Sequence, residues 1–233
     1  MKLYYDLHIH SLLSPCADND MTPHNIINMA KLKGLDVISV TDHNCTLNLE
    51  SFLEVANLLD ILFIPGVEIE TEEEIHVLLY FKHKDVCIIR EFQGIIEKHL
   101  PFIKLREDIY GNQYIVDTQD NVIGSYEKLL LQPLSLSLKQ IYEISKFYNM
   151  VFVPAHINRQ SFGVIGRLGF LPEELIDLTF LEVSKITEIE FAKFLPQNRN
   201  YVFLHSSDAH HLWEINEREF FIESDILYTI FFD

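Results

Sequence analysis

Near the start of the chain, residues 4–11 read Tyr-Tyr-Asp-Leu-His-Ile-His-Ser. Polar and apolar side chains alternate with the two-residue period of a β-strand. Asp6, His8 and His10 therefore project from one face and Leu7 and Ile9 from the other. Two imidazoles then converge on one point, and a buried pair of them needs partners brought in from elsewhere in the chain. Asp208-Ala209-His210 repeats the pattern, with two donors at i and i+2 on one strand face. Glu68, His43 and His156 each end a predicted strand, and His76 begins one. These imidazoles and carboxylates, with no cysteine required, suit zinc, manganese or iron(II). The donors outnumber what one ion needs, so the expectation is two or three divalent ions, with Glu68 placed to bridge them.

Charge narrows the substrate. The net charge is −17 with histidine neutral, and no cluster of Lys and Arg occurs locally. A basic footprint for long nucleic acid is missing, and an anionic substrate has to be drawn by bound cations. Clustered divalent ions generate a hydroxide nucleophile near neutral pH and clamp phosphoryl oxygens. The 233 residues, 48% of them apolar, are expected to form one domain over residues 1–233. No apolar run reaches the roughly 18 residues of a membrane span, and the first strand starts directly at the N-terminus, so a signal peptide is not expected either. Cys16, Cys45 and Cys87 form no CxxC pair and leave an odd count, as reduced thiols of a cytoplasmic protein would.

Along the chain, strands alternate with helices. Thr22-Pro23 and Gly34 bracket a helix, residues 36–43 read as a strand, 48–59 as a helix, 61–70 as a strand and 75–81 as the next. This alternation predicts βαβ units, a mostly parallel sheet, and functional side chains gathered at the C-terminal ends of the strands. Residues 85–126 break the pattern with a helix over 86–99 and a hairpin over 113–126, read as an insertion or lid. Ser137 caps another helix, strands are predicted over 151–157, 180–184 and 201–204, Pro172 opens a short helix, and the Phe-rich tail from residue 219 closes the core.

In order, His8-Ile9-His10, Asp18, Thr41-Asp42-His43, Pro65-Gly66-Val67-Glu68, His76, Pro154-Ala155-His156 and Ser207-Asp208-Ala209-His210 resemble the metal motifs of the PHP (polymerase and histidinol phosphatase) family. The resemblance implies an α/β fold, a distorted (β/α)7 TIM-like barrel with a trinuclear site at its strand ends. It would place His8, His10, Glu68 and Asp208 on one ion, Asp18, His43 and His210 on a second, and Glu68, His76 and His156 on a third. Some members carry histidine where this chain has Asp18, and the 85–126 segment matches no motif, so substrate choice does not carry over.

The function expected is a metal-dependent phosphoesterase acting on a small phosphorylated metabolite or nucleotide. Asp208, His210 and Glu68 carry the catalysis, and Arg159 and Lys185 are the candidates to grip phosphate. No Gly-x-Ser-x-Gly or P-loop is present. The alternatives are a 5′ to 3′ exonuclease on short oligonucleotides, with Phe102, Tyr110 and Tyr114 of the insertion stacking bases, an amidohydrolase-type enzyme, and a non-catalytic metal-binding module. Asp42 is expected as a buried cap, Asp6 and His205 as supports, Asp20 and Glu70 as solvated or supporting, Cys16 as a bystander, and His24, His83, His99 and His211 as surface residues.

Overall fold

The computed structural model describes residues 1–82, 84–176, 178–185, 190–197 and 199–232. His83, expected at the surface, lies outside them. The first strand, β1 (Lys2–Asp6), leads through a loop to α1 (Pro23–Leu32). Thr22 caps that helix by accepting from Asn25 N, and Gly34 follows its end at φ +75°, a conformation that costs glycine little. The chain returns as β2 (Val37–Ile38), parallel to β1. After α2 (Leu49–Leu58) it returns again as β3 (Leu62–Phe63), parallel to β2. These are the expected βαβ units, but their ladders are shorter than the apolar runs. Beyond Ile38 only single bonds continue the pairing, as from Thr41 N to Ile9 O. The 61–70 run breaks around Pro65, which has no N–H to donate, and resumes as β4 (Gly66–Glu70).

β4 runs antiparallel to β5 (His76–Phe81), with Glu70 opposite His76. A mostly parallel sheet is therefore not what forms at this point. Only residues 71–75 join the two strands, enough for a turn and too few for the crossover that parallel pairing requires. The reversal has a functional effect. It brings the start of β5 beside the end of β4, so His76 reaches the same rim as Glu68.

The inserted segment contains α3 (Val86–His99), a single turn α4 (Glu107–Tyr110), and the hairpin of β6 (Tyr114–Val116) with β7 (Val122–Ser125). Tyr114 N donates to Leu12 O at 3.0 Å, Val116 N to Asn48 Oδ1 at 3.0 Å, and Thr22 Oγ1 to Asp120. The hairpin is thus fastened to the loop after β1 and to the start of α2.

A Ser137–Gln140 capping box opens α5 (Leu138–Phe147). It leads to β8 (Met150–Pro154), antiparallel to β5, then to α6 (Val164–Leu168) and a 3-10 turn after Pro172. β9 (Phe180–Glu182) and β10 (Val202–Leu204) pair in parallel. The tail supplies β11 (Phe221–Glu223), antiparallel to β1, and α7 (Ser224–Phe231).

The ladders form four sheets, ordered β11-β1-β2-β3, β4-β5-β8, β9-β10 and β6-β7. Single links join their edges: bridges from Ile9 to Ala209 and from His43 to Glu68, and a bond from Ile157 N to Glu182 O at 2.9 Å. Among the described residues no continuous ladder closes a barrel, so the fold is a mixed α/β arrangement of linked sheets. The reversed β5 and the interruptions at Pro65 and after Ile38 account for the difference. No described helix is long and apolar enough to cross a membrane.

The tail does close a core. Phe231 is fully buried, with ring centroids 5.4 Å from Tyr80 and 5.6 Å from Phe180. Replacing Phe231 by Ala should cost about 3–5 kcal/mol of stability, the range for an aromatic side chain removed from a core. Denaturant unfolding measures this, and a loss under about 1 kcal/mol would show that α7 does not seal the sheet.

Candidate metal centre

The segment that follows β1 and carries His8 and His10 is held by its apolar side chains. Leu7 and Ile9 are fully buried, and so are His8 and His10 on the opposite side. The Ile9–Ala209 bridge aligns this segment with the turn that carries Asp208. There His8 Nε2 lies 3.2 Å from His10 Nε2, and Asp208 Oδ1 lies 3.3 Å from the first and 3.1 Å from the second.

Glu68 is the hub. Its two oxygens are fully buried, and five imidazole nitrogens surround them: His43 Nδ1 and His76 Nδ1 at 2.9 Å, and His8 Nε2, His10 Nε2 and His156 Nε2 at 3.4 Å. Yet neither oxygen makes a hydrogen bond of acceptable geometry. A buried carboxylate without hydrogen bonds is costly unless a charge is paired with it. Among the described residues three sets have donor atoms within 4.8 Å of one another: His8, His10 and Glu68; His43, Glu68 and His76; and His10, His43 and His210. The donors are all imidazole nitrogen or carboxylate oxygen, as zinc, manganese and iron(II) accept. These residues fit a cluster of divalent ions.

The electrostatics agree with that use for Glu68, Asp208 and His10, whereas neighbouring anionic groups outweigh burial at His8 and His43 and hold them well above the ordinary imidazole value. Desolvation pushes the Glu68 carboxyl up, but His76, His8 and His43 outweigh it and hold the group well below the usual carboxylate range. Asp208 is likewise held well below it, with burial overridden by His8 and His10. Burial, assisted by His43 and His210, drops His10 well below the ordinary imidazole value. Anionic carboxylates and a neutral imidazole are the forms that ligate.

Other side chains orient these donors. Both Glu182 oxygens lie 3.0 Å from His8 Nδ1, leaving Nε2 directed at the centre, and Glu182 Oε2 also accepts from His156 N. Ser14 Oγ lies 3.0 Å from His10 Nδ1 and donates to Asp42, which also accepts from Ser11 N and Oγ. Asp42 is therefore the buried cap expected of it. Asp6 accepts from Ser207 N and Asn216 N, fixing the turn before Asp208 and no imidazole ring. Glu182 had no motif to mark it; its one signal was a carboxylate inside the apolar run 180–183. Phe162, stacked on His76 at 4.4 Å, had none.

Eight of the nine expected ligands thus lie near one another: six make up the three sets, His156 reaches Glu68, and Asp208 reaches His8 and His10. Asp18 does not enter any of the three sets. Its Oδ1 accepts from Asp20 N, a local turn that competes for the carboxylate, and its Oδ2 lies 3.7 Å from His211 Nδ1. Cys16, expected as a bystander, enters none of the three sets either. Desolvation pushes its thiol up, but interaction with His43 and His210 lowers it to about 6. Arg159 Nη1 donates to Asp208 Oδ2 at 2.7 Å, and Lys185, half-exposed, shares a cavity of about 480 Å³ with Arg159, Asp208 and His210. His205 stacks on Phe220 outside the cluster, and Glu70 is buried, with burial raising its carboxyl to about 7. His24 pairs with Asp120 and His99 with Ser135 on the periphery. Phe102 lines a separate cavity with Glu97 and Tyr126.

The PHP domain model matches residues 6–189. The chain belongs to the PHP domain family. The matched span takes in His8 through His156, and the structure joins Asp208 and His210 to that PHP set. An uncharacterised protein of Methanocaldococcus jannaschii is 33% identical over 94 residues, 40% of this chain and 11% of that one. Among solved structures, the lesion-specific endonuclease Q of Pyrococcus furiosus superposes with a TM-score of 0.64 at 22% identity, over 91% of this chain and 49% of that one. A protein of Bifidobacterium adolescentis described as a metal-dependent phosphoesterase gives 0.61 at 16% identity, over 97% and 94% of the two chains. These likenesses are of fold, and the PHP chain spans about half the length of endonuclease Q.

The support under His8 is open to test. Glu182→Ala should weaken zinc binding about 10- to 100-fold, the usual effect of removing the partner of a ligating imidazole. Calorimetric titration of metal-stripped protein reads it directly. Undiminished affinity would mean that His8 is oriented without Glu182.

Proposed function

We propose that this PHP protein is a hydrolase, a metal-dependent phosphoesterase that cleaves the phosphate ester of a small phosphorylated metabolite or nucleotide. The observation that carries the reading is the buried Glu68 carboxylate, unbonded by hydrogen and ringed by five imidazole nitrogens. His8, His10, Glu68 and Asp208 would hold one ion, and Glu68, His76 and His156 another. His43 and His210 would hold a third, with Cys16 beside them and Asp18 turned toward His211. Zinc, manganese or iron(II) would serve. Bound together, such ions lower the pKa of water toward neutrality and neutralise charge on phosphoryl oxygens.

The chain's own groups do the positioning. Glu68 stays ionised at the centre and balances the cations. Glu182 keeps His8 Nε2 facing inward, and Ser14 does the same for His10. Arg159 and Lys185 stand where the cavity opens and would hold phosphate oxygens from the solvent side, Arg159 being steadied by Asp208. No serine or cysteine nucleophile is needed. The reading includes a single domain over residues 1–233, a distorted seven-stranded barrel with the 85–126 segment inserted. The links between sheet edges at Ile9, His43 and Ile157 support the ring.

A second reading, cleavage of short oligonucleotides, draws on the fold shared with endonuclease Q, whose solved complex holds duplex DNA. The net charge of −17 weighs against long polymers, since their affinity depends on many phosphate contacts.

Phosphate release from sugar phosphates, histidinol phosphate, nucleoside monophosphates and bisphosphates, with manganese supplied, tests the first reading. His8→Ala and Asp208→Ala should each lower turnover by more than about 100-fold, beyond the range for mere partners of ligands, while thermal unfolding shows that the protein still folds. Wild-type rates in either variant would overturn the assignment. Chelation should abolish release and returned metal restore it; release that survives chelation would exclude the metal-dependent reading. Cleavage of end-labelled oligonucleotides without release from any monoester would favour the second reading.

A further inference from the structure

Beside the metal centre the cavity of about 480 Å³ has one wall that the phosphoesterase reading does not use. His211, which lines it, is stacked on Trp213 with centroids 4.3 Å apart and planes 6° from parallel. Trp213, stacked on this lining residue though not itself in the lining, is 69% exposed, so the indole presents a flat aromatic surface to solvent beside the mouth of the site.

The turn that carries it is rigid. Glu214 Oε2 accepts from His210 N at 2.9 Å and His211 N at 3.1 Å, and Glu214 N donates to His211 O at 3.0 Å. Lys33 Nζ donates to the carbonyls of Trp213 and Ile215. An indole left in water on a flexible loop needs no explanation, but this one is pinned next to metal-ligating residues. The cavity also holds the cations for an anionic group. Of its carboxylates, Asp208 is paired with Arg159 and Glu214 with two backbone N–H groups, and Lys185 lies 3.8 Å from Glu219 at the rim.

Resting on the phosphoesterase reading, we propose that the His211–Trp213 stack is a platform for a nucleobase, and that the substrate class of the site is a nucleotide rather than a sugar phosphate. The phosphate lies between the metal centre and Arg159 while the base continues the aromatic stack. Every base has a flat π face, so the platform accepts different bases with little selection.

Trp213 is the only tryptophan in the chain, and its fluorescence reports the platform directly. Zinc-loaded protein is titrated with adenosine 5′-monophosphate and with ribose 5-phosphate. The adenine compound should quench saturably and bind about 5- to 150-fold more tightly, the range of base–aromatic stacking. By calorimetry, Trp213→Ala should bring the ratio of the two affinities toward one, and Trp213→Phe should restore most of it. Equal affinities in the wild type, or an unchanged ratio in Trp213→Ala, would overturn the platform. Adenine-dependent quenching without phosphate release from any substrate would sustain the platform and sink the phosphoesterase reading. Release with no preference for a base would do the reverse.

Discussion

The architecture depends on one buried charge. Glu68 is ionised and has no solvent exposure, and isolated burial of a carboxylate costs several kcal/mol even after relaxation. Five imidazoles from four separate segments surround it, yet none completes a hydrogen bond to it. Imidazoles can only ease that cost in part, since burial pushes His10 and His76 below the ordinary imidazole value while neighbouring anionic groups hold His8 and His43 above it. Divalent cations held by these residues would resolve the conflict, because they satisfy both kinds of donor at once.

Much of the surrounding backbone serves that arrangement. β5 is reversed by a turn too short for a crossover, and the reversal delivers His76 to the rim. His156 and Asp208 sit at φ 28° and φ 55°, in the left-handed region, where a non-glycine residue carries about 1–3 kcal/mol of strain. Such strain persists where neighbours over-determine the conformation. Here Glu182 bonds the His156 N–H, and Asp6 and Ser207 clasp the turn at Asp208. Of the eight described non-glycine residues with positive φ, these two are donors of the centre.

The acidity of the chain and the chemistry of its site are two parts of one electrostatic problem. A surface with net charge −17 repels phosphates, and screening limits that repulsion to about 10 Å at 0.1 M salt. Within that distance the field belongs to the local groups: Arg159, Lys185 and whatever cations the donors hold. Short-range cationic recognition on an acidic protein suits small anionic ligands, which need few contacts.

The sequence by itself determined which residues could bind metal. Period-two spacing places His8 with His10 because alternation along an extended segment is a local property of the chain, and eight of the nine predicted donors lie in the one cluster that includes Glu68. The helix bounded by Thr22, Pro23 and Gly34 was legible for the same local reason. The tertiary structure decided what depends on distant partners. Glu182 supports His8 across 174 residues of chain, with no motif to announce it. Asp18 forms a local turn while Cys16 comes up to His43 and His210, a choice made by the path of the loop after β1. Strand direction at β5, the linked but unclosed sheets and the stacking of His211 on Trp213 arise only when separated segments pack, since no local periodicity encodes which neighbour a strand end or a ring will meet.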